Sequence, residues 1–250
     1  MGRFDGTVAL ITGASRGIGF SVAERLVSEG GKVVLTARGE DALRDAASRL
    51  GPAGTALWVA GKADDADHRA DVFDLIAREF GGLDFFVNNA GTNPAYGSLL
   101  DIEPRAMQKI LDVNVLAAVD WSRDAVRNGF TSTGGAIVNI SSIAGVSAAP
   151  GIGFYGVSKA ALISITTQLA FELAPSIRVN AVAPAVIKTD FAKALYEGRE
   201  SEVAAAYPLK RLGNPEDVSG AVAFLLSKDS AWITGQTIVI DGGASLRPMA

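Results

Sequence analysis

Two residues able to exchange a proton lie four positions apart in FYGVSKAAL, an otherwise small and apolar stretch at 154–162. They are Tyr155 and Lys159, and residues at i and i+4 share one helix face with Cβ atoms about 5 to 6 Å apart. A tyrosine, with a pKa of about 10, is a poor base at neutral pH, whereas a neighbouring cation favours the phenolate. The spacing predicts that Lys159 lowers the pKa of Tyr155 and makes it an acid/base group. Alone, the pair also fits a chance arrangement on a solvated helix face.

A glycine-rich segment, TGASRGIG at 12–19, follows the first apolar run and precedes a helical pattern. Its glycines permit a tight turn, a close approach of phosphate to the backbone, and close packing of helix on strand. The helix N-terminus adds free N–H groups and a positive dipole end. A dinucleotide pyrophosphate site is predicted here, with a simple connecting turn as the alternative. The predicted contacts are Gly13, Ser15, Arg16, Gly17, Ile18 and Gly19.

The residue after the second predicted strand indicates which dinucleotide is bound. An acidic residue there accepts a hydrogen bond from the adenosine ribose and repels a 2′-phosphate, which is typical of NAD sites. This chain has Arg38 at that point, and Arg38 and Arg16 together could hold a 2′-phosphate through charge-assisted hydrogen bonds. The pattern therefore favours NADP(H). Glu40 or Asp41 could serve a ribose instead, which keeps NAD(H) as the alternative.

Secondary-structure elements must position these residues. Along the chain, short runs of β-branched residues alternate regularly with longer segments of helical periodicity. Continuously apolar strands separated by helices predict a parallel sheet covered on both faces, a doubly wound α/β (Rossmann) fold in a single domain over 1–250. The long irregular segment at about 184–213 is predicted to be a substrate lid. Strands are predicted at 7–11, 32–37, 55–60, 83–88, 135–140, 177–182 and 237–240, and helices at 17–29, 40–50, 65–80, 104–129, 153–173, 215–227 and 190–206.

Composition argues against several other classes of protein. Lys plus Arg number 23 against 27 Asp plus Glu, a net charge of −4 without a dense basic block, so no nucleic-acid partner is expected. No apolar run approaches the roughly 20 residues that span a bilayer, and no signal-peptide core is present, so no membrane partner is expected. The absence of cysteine fits a reducing, cytoplasmic location. The single histidine, His68, is expected at the solvated surface, and no metal site is predicted.

Three further motifs accompany the tyrosine and lysine in a fixed order. Ser142 lies 13 residues before Tyr155 in IVNISSIAG, NNAG follows the fourth predicted strand, and DVNV supplies Asn114. This combination resembles the short-chain dehydrogenase/reductase family, in its subclass of about 250 residues. The resemblance covers the whole chain, from VALITGASRGIG to ITGQTIVIDGG. Each motif is weak alone, whereas their joint occurrence is specific.

The resemblance implies an NAD(P)-dependent oxidoreductase. Tyr155 would protonate a carbonyl oxygen or take a hydroxyl proton, and Ser142 would donate a hydrogen bond to the same oxygen. Lys159 would lower the tyrosine pKa and hold the nicotinamide ribose, and Asn114 would fix a water that connects Lys159 to solvent. A purely structural hydrogen bond is the alternative for Asn114.

The resemblance also implies contacts on the adenosine side, with one departure from the family pattern. The acidic residue that usually reads the adenine amine is replaced by Lys62, and lysine has no acceptor. The backbone of the next residue, or the following carboxylate, would then serve adenine. The expected contacts are Asn88, Ala90, Gly91, Ala63 and Asp64, and Asn88 could instead satisfy the backbone of the sheet or turn.

On the nicotinamide side, Pro184 is followed by Ala185 where the family usually has glycine. Because alanine lacks the backbone freedom of glycine, the loop could be set differently. The expected contacts with the cofactor are Pro184, Val186, Ile187 and Thr189. The lid residues expected to line the substrate pocket, beside Ser142 and Tyr155, are Phe191, Leu195 and Tyr196.

Within the family, the chain resembles 3-oxoacyl-[acyl-carrier-protein] reductases and similar ketone reductases. An acidic acyl carrier protein would need a basic patch, yet TTQLAFELAP at 166–175 has no basic residue, although Lys109, Arg123 and Arg127 could substitute. We expect interconversion of a carbonyl and a secondary alcohol, with the acyl-carrier reaction as one candidate. The alternatives are a small-ketone, sugar or sterol dehydrogenase using NAD, or a catalytically silent NADP(H)-binding sensor. The family implies a homotetramer.

Overall fold

The computed structural model describes residues 2–246 and contains a seven-stranded parallel sheet in the order β3-β2-β1-β4-β5-β6-β7. The predicted doubly wound fold is confirmed, because β1 pairs with both β2 and β4 and the strand order reverses there. Such a switch point opens a crevice at the carboxyl ends of the strands. The strands are β1 (Val8–Thr12), β2 (Lys32–Ala37), β3 (Ala56–Ala60), β4 (Phe85–Asn88), β5 (Gly135–Ile140), β6 (Ile177–Pro184) and β7 (Thr237–Ile240).

The predicted helices are present except the one at 190–206, and the helix expected at 104–129 is interrupted. Two π-helical segments, Asp112–Leu116 and Ala125–Gly129, divide it, and such insertions occur frequently at functional sites. No helix within the described residues is both long and apolar enough to cross a membrane. The helices are α1 (Gly17–Ser28), α2 (Glu40–Arg49), α3 (Ala66–Phe80), α4 (Pro104–Leu111), α5 (Ala117–Asp124), α6 (Gly153–Leu173), α7 (Lys193–Tyr196), α8 (Glu200–Ala205) and α9 (Pro215–Leu226).

Apolar clusters cover both faces of the sheet. On one face, residues of α1, α2 and α9 such as Leu26, Leu43 and Val222 pack against the strands. On the other face, Ile76 of α3 and Trp121 of α5 are fully buried in a second cluster. Burying a side chain of this size contributes about 1.5–3 kcal/mol relative to leaving it exposed. The catalytic edge of the sheet is therefore supported from both sides.

The segment at 184–213 leaves the sheet and returns to the same place. Lys188 N donates to Gly213 O at 2.8 Å, and Gly213 N donates to Val186 O at 3.1 Å. The helix expected at 190–206 is instead the pair α7 and α8, separated where Gly198 adopts a positive φ of 75°. An L-residue helix cannot continue through that conformation. The role of this segment as a substrate lid remains a prediction.

Candidate active site

The first turn of α6 places the tyrosine and lysine on one face, as their spacing predicted. Lys159 Nζ lies 5.6 Å from the centre of the Tyr155 ring. The same amine donates to Ile140 O at 2.8 Å, at the carboxyl end of β5. Tyr155 is partly buried and Lys159 is buried. Both groups therefore lie at the edge of the sheet where a doubly wound fold binds its ligands.

Ser142 joins this pair because the turn after β5 packs directly against α6. Its Oγ accepts a hydrogen bond from Ala144 N at 3.1 Å and caps the short 3₁₀ turn Ile143–Gly145. A Cβ atom at Gly156 would lie 2.5 Å from Ala144 O, closer than van der Waals contact allows. Only glycine permits this approach, which brings Ser142 to the phenol of Tyr155.

The electrostatics of the pair differ from the sequence-based prediction. Burial raises the pKa of Tyr155 to about 12, and a hydrogen bond with the Ser142 side chain lowers it in part. Burial also lowers the pKa of Lys159 to about 8. The pKa of Tyr155 is thus raised rather than lowered, because burial outweighs the one hydrogen bond that lowers it. The Lys159 amine is hydrogen-bonded to Ile140 O, and its lowering of the phenol pKa remains a prediction.

Asn114 lies buried in the first π-helical segment and faces the lysine. Its Oδ1 accepts from Thr92 N at 2.7 Å, while its Nδ2 donates to Thr92 O at 3.0 Å and to Ser158 Oγ at 3.0 Å. A Cβ atom at Gly91 would lie 3.5 Å from both Asn114 Oδ1 and Lys159 Nζ. The four predicted catalytic residues thus occur together. Sequence reasoning missed Ser158, whose only signal is a serine beside Lys159.

The glycine loop has the geometry that a pyrophosphate requires. Gly13 and Gly17 adopt positive φ angles of 65° and 60°, which favour glycine. A Cβ atom at Gly19 would lie 2.5 Å from Asn89 Nδ2, so this glycine permits close packing. The first hydrogen bond of α1 runs from Phe20 N to Arg16 O, which leaves the preceding N–H groups without helical acceptors. The loop that includes Ser15 and Ile18 therefore fits a phosphate group.

Sequence reasoning also missed two residues that join this loop to the segment after β4. Thr12 Oγ1 accepts from Asn89 N and from Ala90 N, each at 3.0 Å. Asn89 Nδ2 donates to Thr12 O at 2.8 Å and to Gly13 O at 3.0 Å. In contrast, Asn88 Nδ2 donates to the carbonyl of residue 118 in α5 at 2.9 Å. The bond is structural, but its acceptor lies in a helix and not in the sheet or turn that the alternative named. The available signal was the second asparagine of NNAG.

The two arginines proposed for a 2′-phosphate are both accessible. Arg38 lies exposed immediately after β2. Arg16 lies at the start of α1, where its Nη1 is 3.5 Å from Asp190 Oδ2 in a solvent-exposed ion pair. An exposed pair of this kind contributes little stability, about 0–1 kcal/mol. Arg16 can therefore exchange this partner for a phosphate at small cost.

Ala63 and Asp64, the two candidates for binding adenine, already have hydrogen-bond partners. The partner of Ala63 is bound at its carbonyl, and that of Asp64 at its side chain. Ala63 O accepts a hydrogen bond from Trp121 Nε1 at 2.9 Å. The Asp64 carboxylate lies 2.6 Å from Lys109 Nζ, and this hydrogen bond holds the pKa of Asp64 below its ordinary value. Both residues are fixed after β3, but neither offers a fully free acceptor.

His68 was expected at the surface, and this expectation is wrong. Its side chain is only 5% exposed, with Nε2 2.5 Å from Thr36 Oγ1 and the ring edge-on to Trp121 at 5.7 Å. A Cβ atom at Gly61 would lie 2.2 Å from His68 Cγ. The missing side chain at Gly61 thus provides the space that the imidazole fills.

The nicotinamide-side segment leaves β6 at Pro184. Ala185 N donates to Ile240 O at 2.9 Å. Among the described residues other than glycine, only Lys210 has a positive φ angle, so Ala185 does not. Alanine at this family glycine position therefore causes no left-handed strain. Val186 N donates to a tyrosine hydroxyl at 3.4 Å, and Ile187 is buried. Thr189 Cγ2 would lie 3.2 Å from a Cβ atom at Gly17, so the segment touches the glycine loop.

Of the three predicted pocket residues, Phe191 reaches the phenol. Its ring centre lies 6.0 Å from that of Tyr155, and its side chain is 57% exposed. Leu195 and Tyr196 lie on α7, and Tyr196 Oη donates to the carbonyl of residue 189 at 3.4 Å. Those two residues thus lie in the segment at 184–213, and among residues 2–246 the aromatic ring that pairs with Tyr155 is that of Phe191.

A further aromatic residue, Tyr96, was missed. It is largely exposed, and a Cβ atom at Gly151 would lie 2.4 Å from Tyr96 Cζ. Gly97 pairs with Ile152 immediately before α6. The loop after β4 therefore forms one wall beside the start of the catalytic helix. The available signal was an exposed aromatic residue shortly after NNAG.

Comparison with known proteins agrees with this geometry. A family model described as Enoyl-(Acyl carrier protein) reductase matches residues 13–245. The chain is 40% identical over 248 residues to Dehydrogenase/reductase SDR family member 4 of Bos taurus, across 96% of this chain and 88% of the relative. It is 36% identical over 248 residues to Tropinone reductase-like 3 of Erythroxylum coca, across 98% of this chain and 95% of the relative.

A solved structure extends the agreement to three dimensions. The short-chain dehydrogenase/reductase SDR:Glucose/ribitol dehydrogenase from Brucella melitensis has a TM-score of 0.93 and 30% identity, across 98% of this chain and 99% of that chain. Fold, sequence identity and the order of the motifs all agree. The chain belongs to the short-chain dehydrogenase/reductase family and is an NAD(P)-dependent oxidoreductase.

Proposed function

We propose that this protein interconverts a carbonyl group and a secondary alcohol with NADP(H), using Tyr155 as the acid/base. The observation that carries the proposal is the convergence of Ser142, Tyr155 and Lys159 at the carboxyl end of β5. These groups lie on the side of the sheet to which the glycine loop also belongs. A proton donor and a hydrogen-bond donor thus face the place where a carbonyl oxygen would accept charge.

The protein residues divide the work as follows. In reduction, the proton moves from Tyr155 Oη to the carbonyl oxygen, while Ser142 Oγ donates a hydrogen bond to that oxygen. The nicotinamide, when bound, supplies the hydride chemistry. A phenol whose pKa is about 12 is protonated at neutral pH, so the form that donates the proton in reduction is the one present. Lys159 and Asn114 would hold the ribose and a relay water, which returns the proton to Tyr155.

The cofactor would be held by the glycine loop and the segments after β2, β3, β4 and β6. Arg38 and Arg16 support the choice of NADP(H), because both are accessible and neither has a strong partner to give up. The proposed contacts are Gly13, Ser15, Arg16, Gly17, Ile18, Gly19, Arg38, Ala63, Asp64, Ala90, Gly91, Tyr155, Lys159, Pro184, Val186, Ile187 and Thr189, with Asn88 joining β4 to α5.

Michaelis constants for NADPH and NADH in the wild type and in Arg38→Ala test the cofactor choice. We expect a KM for NADPH below that for NADH, and a loss of this preference in the variant. Arg127→Ala, which removes an exposed arginine outside the proposed cofactor contacts, should leave both constants unchanged. An unchanged preference in Arg38→Ala would contradict the role of that residue.

For the substrate we propose a ketone with an apolar substituent, with a 3-oxoacyl thioester as one candidate. The aromatic ring of Phe191 beside Tyr155 favours apolar contact. Of the basic residues that could dock a carrier protein, Lys109 pairs with Asp64 and Arg123 pairs with a carboxylate in its own helix, both at 2.6 Å. A carrier protein would have to compete with these pairs.

Turnover of acetoacetyl thioesters of coenzyme A and of acyl carrier protein, beside a panel of small ketones, separates these substrates. Faster turnover of the carrier-bound thioester supports the acyl-carrier reaction. Faster turnover of free ketones supports a small-ketone reductase. Binding of NADPH without turnover across the whole panel would contradict catalysis and indicate a sensor.

We further propose a homotetramer. Phe171 on α6, Leu116 beside α5 and Trp232 before β7 all present apolar side chains to solvent in the single chain. Large exposed apolar side chains on long helices commonly mark subunit interfaces. Light scattering coupled to gel filtration should give four times the chain mass of 25.8 kDa, and Phe171→Glu should reduce it.

A further inference from the structure

His68 connects three segments that would surround the adenosine half of the cofactor. Its Nε2 lies 2.5 Å from Thr36 Oγ1 near the end of β2. Its ring fills the space above Gly61, in the turn that follows β3, and meets the edge of Trp121 from α5. Trp121 in turn donates to Ala63 O at 2.9 Å. One imidazole therefore contacts the strand before Arg38 and supports the turn that carries Ala63.

These contacts extend to the glycine loop through the backbone. Thr36 O accepts from Ala14 N at 3.1 Å, and Gly61 N donates to Ala37 O at 2.9 Å. The imidazole is thus linked through these bonds to β2, to the turn after β3, and to the loop expected to hold the pyrophosphate. Within residues 2–246, this cluster makes no hydrogen bond to Tyr155 or Lys159 on α6.

We propose that His68 is a positioning residue for the adenosine half of the cofactor, and that proton uptake by its imidazole weakens cofactor binding without changing the chemical step. The inference rests on the proposed function, which places adenosine beyond the ends of β2 and β3. It assigns to the single histidine a role that its polar sequence neighbours concealed.

The surroundings of the imidazole disfavour its charged form. Burial is the main cause that lowers the pKa of His68, Arg69 lowers it further, and Asp65 and Asp71 oppose this in part. His68 Nδ1 is buried and has no hydrogen-bond partner within residues 2–246. A second proton would therefore add both a buried charge and an unsatisfied N–H group. The other charged groups on the packed elements are Lys62 and Asp64 in the turn, Arg38 after β2, and Asp120 and Asp124 of α5, both of which pair with Arg69.

Nuclear magnetic resonance gives a direct test, since the chain has one histidine and its labelled imidazole needs no assignment. We expect the pKa of His68 to lie below the value of about 6.5 typical of free histidine. Saturation with 2′,5′-ADP, or with ADP as the NAD counterpart, should lower it further, because binding and protonation are linked reciprocally. A pKa that neither ligand changes would overturn the proposal.

Binding measurements provide the second test. In His68→Leu the dissociation constants for NADPH and for the adenosine half should rise about fivefold, while kcat at saturating cofactor stays unchanged. Wild-type affinity should stay level from pH 7.5 to 6.5 and then fall, by up to about tenfold per unit, below the pKa of His68. His68→Gln, which remains neutral and polar, should retain most of the affinity at neutral pH and show only the shallower acid dependence that comes from titration of the ligand phosphate.

Ser230→Ala is the matched control, since Ser230 is fully buried and donates to Leu225 O and Ser227 O. It should lower stability without changing the dissociation constants or their pH dependence. If His68→Leu does not fold, as judged by circular dichroism, the resonance titration of the wild type still decides. An acid dependence as steep in His68→Gln as in the wild type would overturn the inference. Failure of the wild type to bind NADPH, NADH or either adenosine half would instead overturn the proposed function itself.

Discussion

Lys159 Nζ lies 5.6 Å from the centre of the Tyr155 ring and donates its hydrogen bond to Ile140 O. The amine is therefore near the phenol ring, while its hydrogen bond is to a carbonyl oxygen at the end of β5. Burial disfavours the charged form of both groups. It raises the pKa of the tyrosine to about 12 and lowers the pKa of the lysine to about 8. This arrangement provides a protonated phenol as an acid.

Removal of the phenol hydroxyl should abolish most turnover. In Tyr155→Phe the proton donor is lost, and we expect kcat to fall by about 10²- to 10⁴-fold, the usual contribution of a positioned acid. The NADPH dissociation constant, measured by fluorescence titration, should change little. Near-normal kcat in Tyr155→Phe would disprove the acid/base assignment.

The two reaction directions should respond differently to pH. Reduction uses the protonated phenol, which is fully populated below about pH 11 because the pKa of Tyr155 is about 12. Oxidation uses the phenolate, whose fraction rises about tenfold per pH unit below that pKa. We expect kcat/KM for oxidation to rise from pH 7 to 10, and kcat/KM for reduction to show no corresponding rise. A plateau of the oxidation rate near pH 7 would indicate a lowered phenol pKa instead.

Two glycine-to-alanine changes should separate catalysis from stability. A Cβ atom at Gly156 would lie 2.5 Å from Ala144 O, a backbone atom that cannot move freely. Gly156→Ala should therefore lower the free energy of unfolding by about 1–3 kcal/mol, as measured by urea denaturation.

At Gly91 a Cβ atom would meet Asn114 Oδ1 and Lys159 Nζ at 3.5 Å, an ordinary contact distance. Gly91→Ala should retain stability but occupy the space between those groups, where a relay water is proposed, and so lower kcat. Equal loss of stability in Gly91→Ala and Gly156→Ala would refute this distinction.

The amide of Asn114 should contribute more to stability than the hydroxyl that it contacts. Asn114→Leu leaves the backbone N–H and C=O of Thr92 without their partners, and each unsatisfied buried group costs about 1–3 kcal/mol. Ser158→Ala removes one acceptor of the same amide, for about 1 kcal/mol. Chemical denaturation of both variants checks the order, and a smaller loss for Asn114→Leu would contradict it.

Sequence reasoning reached the fold because continuously buried strands and glycine positions are local signals. Gly13 and Gly17 adopt positive φ angles that favour glycine. The helical repeat places Tyr155 and Lys159 on one face of α6. The buried state of His68 depends on the absence of a side chain at Gly61, seven positions earlier, which no local pattern records.

The same limit applies to the pKa of Tyr155 and to the long helix before β5. Spacing identified the cation near the phenol, but the desolvation that raises the phenol pKa depends on how closely the turn after β5 packs against α6. The π-helical segment around Asn114 likewise follows from its bonds to Thr92 and Ser158, which belong to other segments.

The backbone bonds that join Val186 and Lys188 to Gly213 close a ring at the base of the excursion that carries α7 and α8. Because lengthening such a loop costs only about 0.6 kcal/mol per doubling, the excursion can change in length at small cost beyond Thr189 and Phe191, which contact the glycine loop and the Tyr155 ring. Neither β6 nor α9 would have to move. The closed base thus separates the length of this excursion from the strands and helix that hold Ser142, Tyr155 and Lys159.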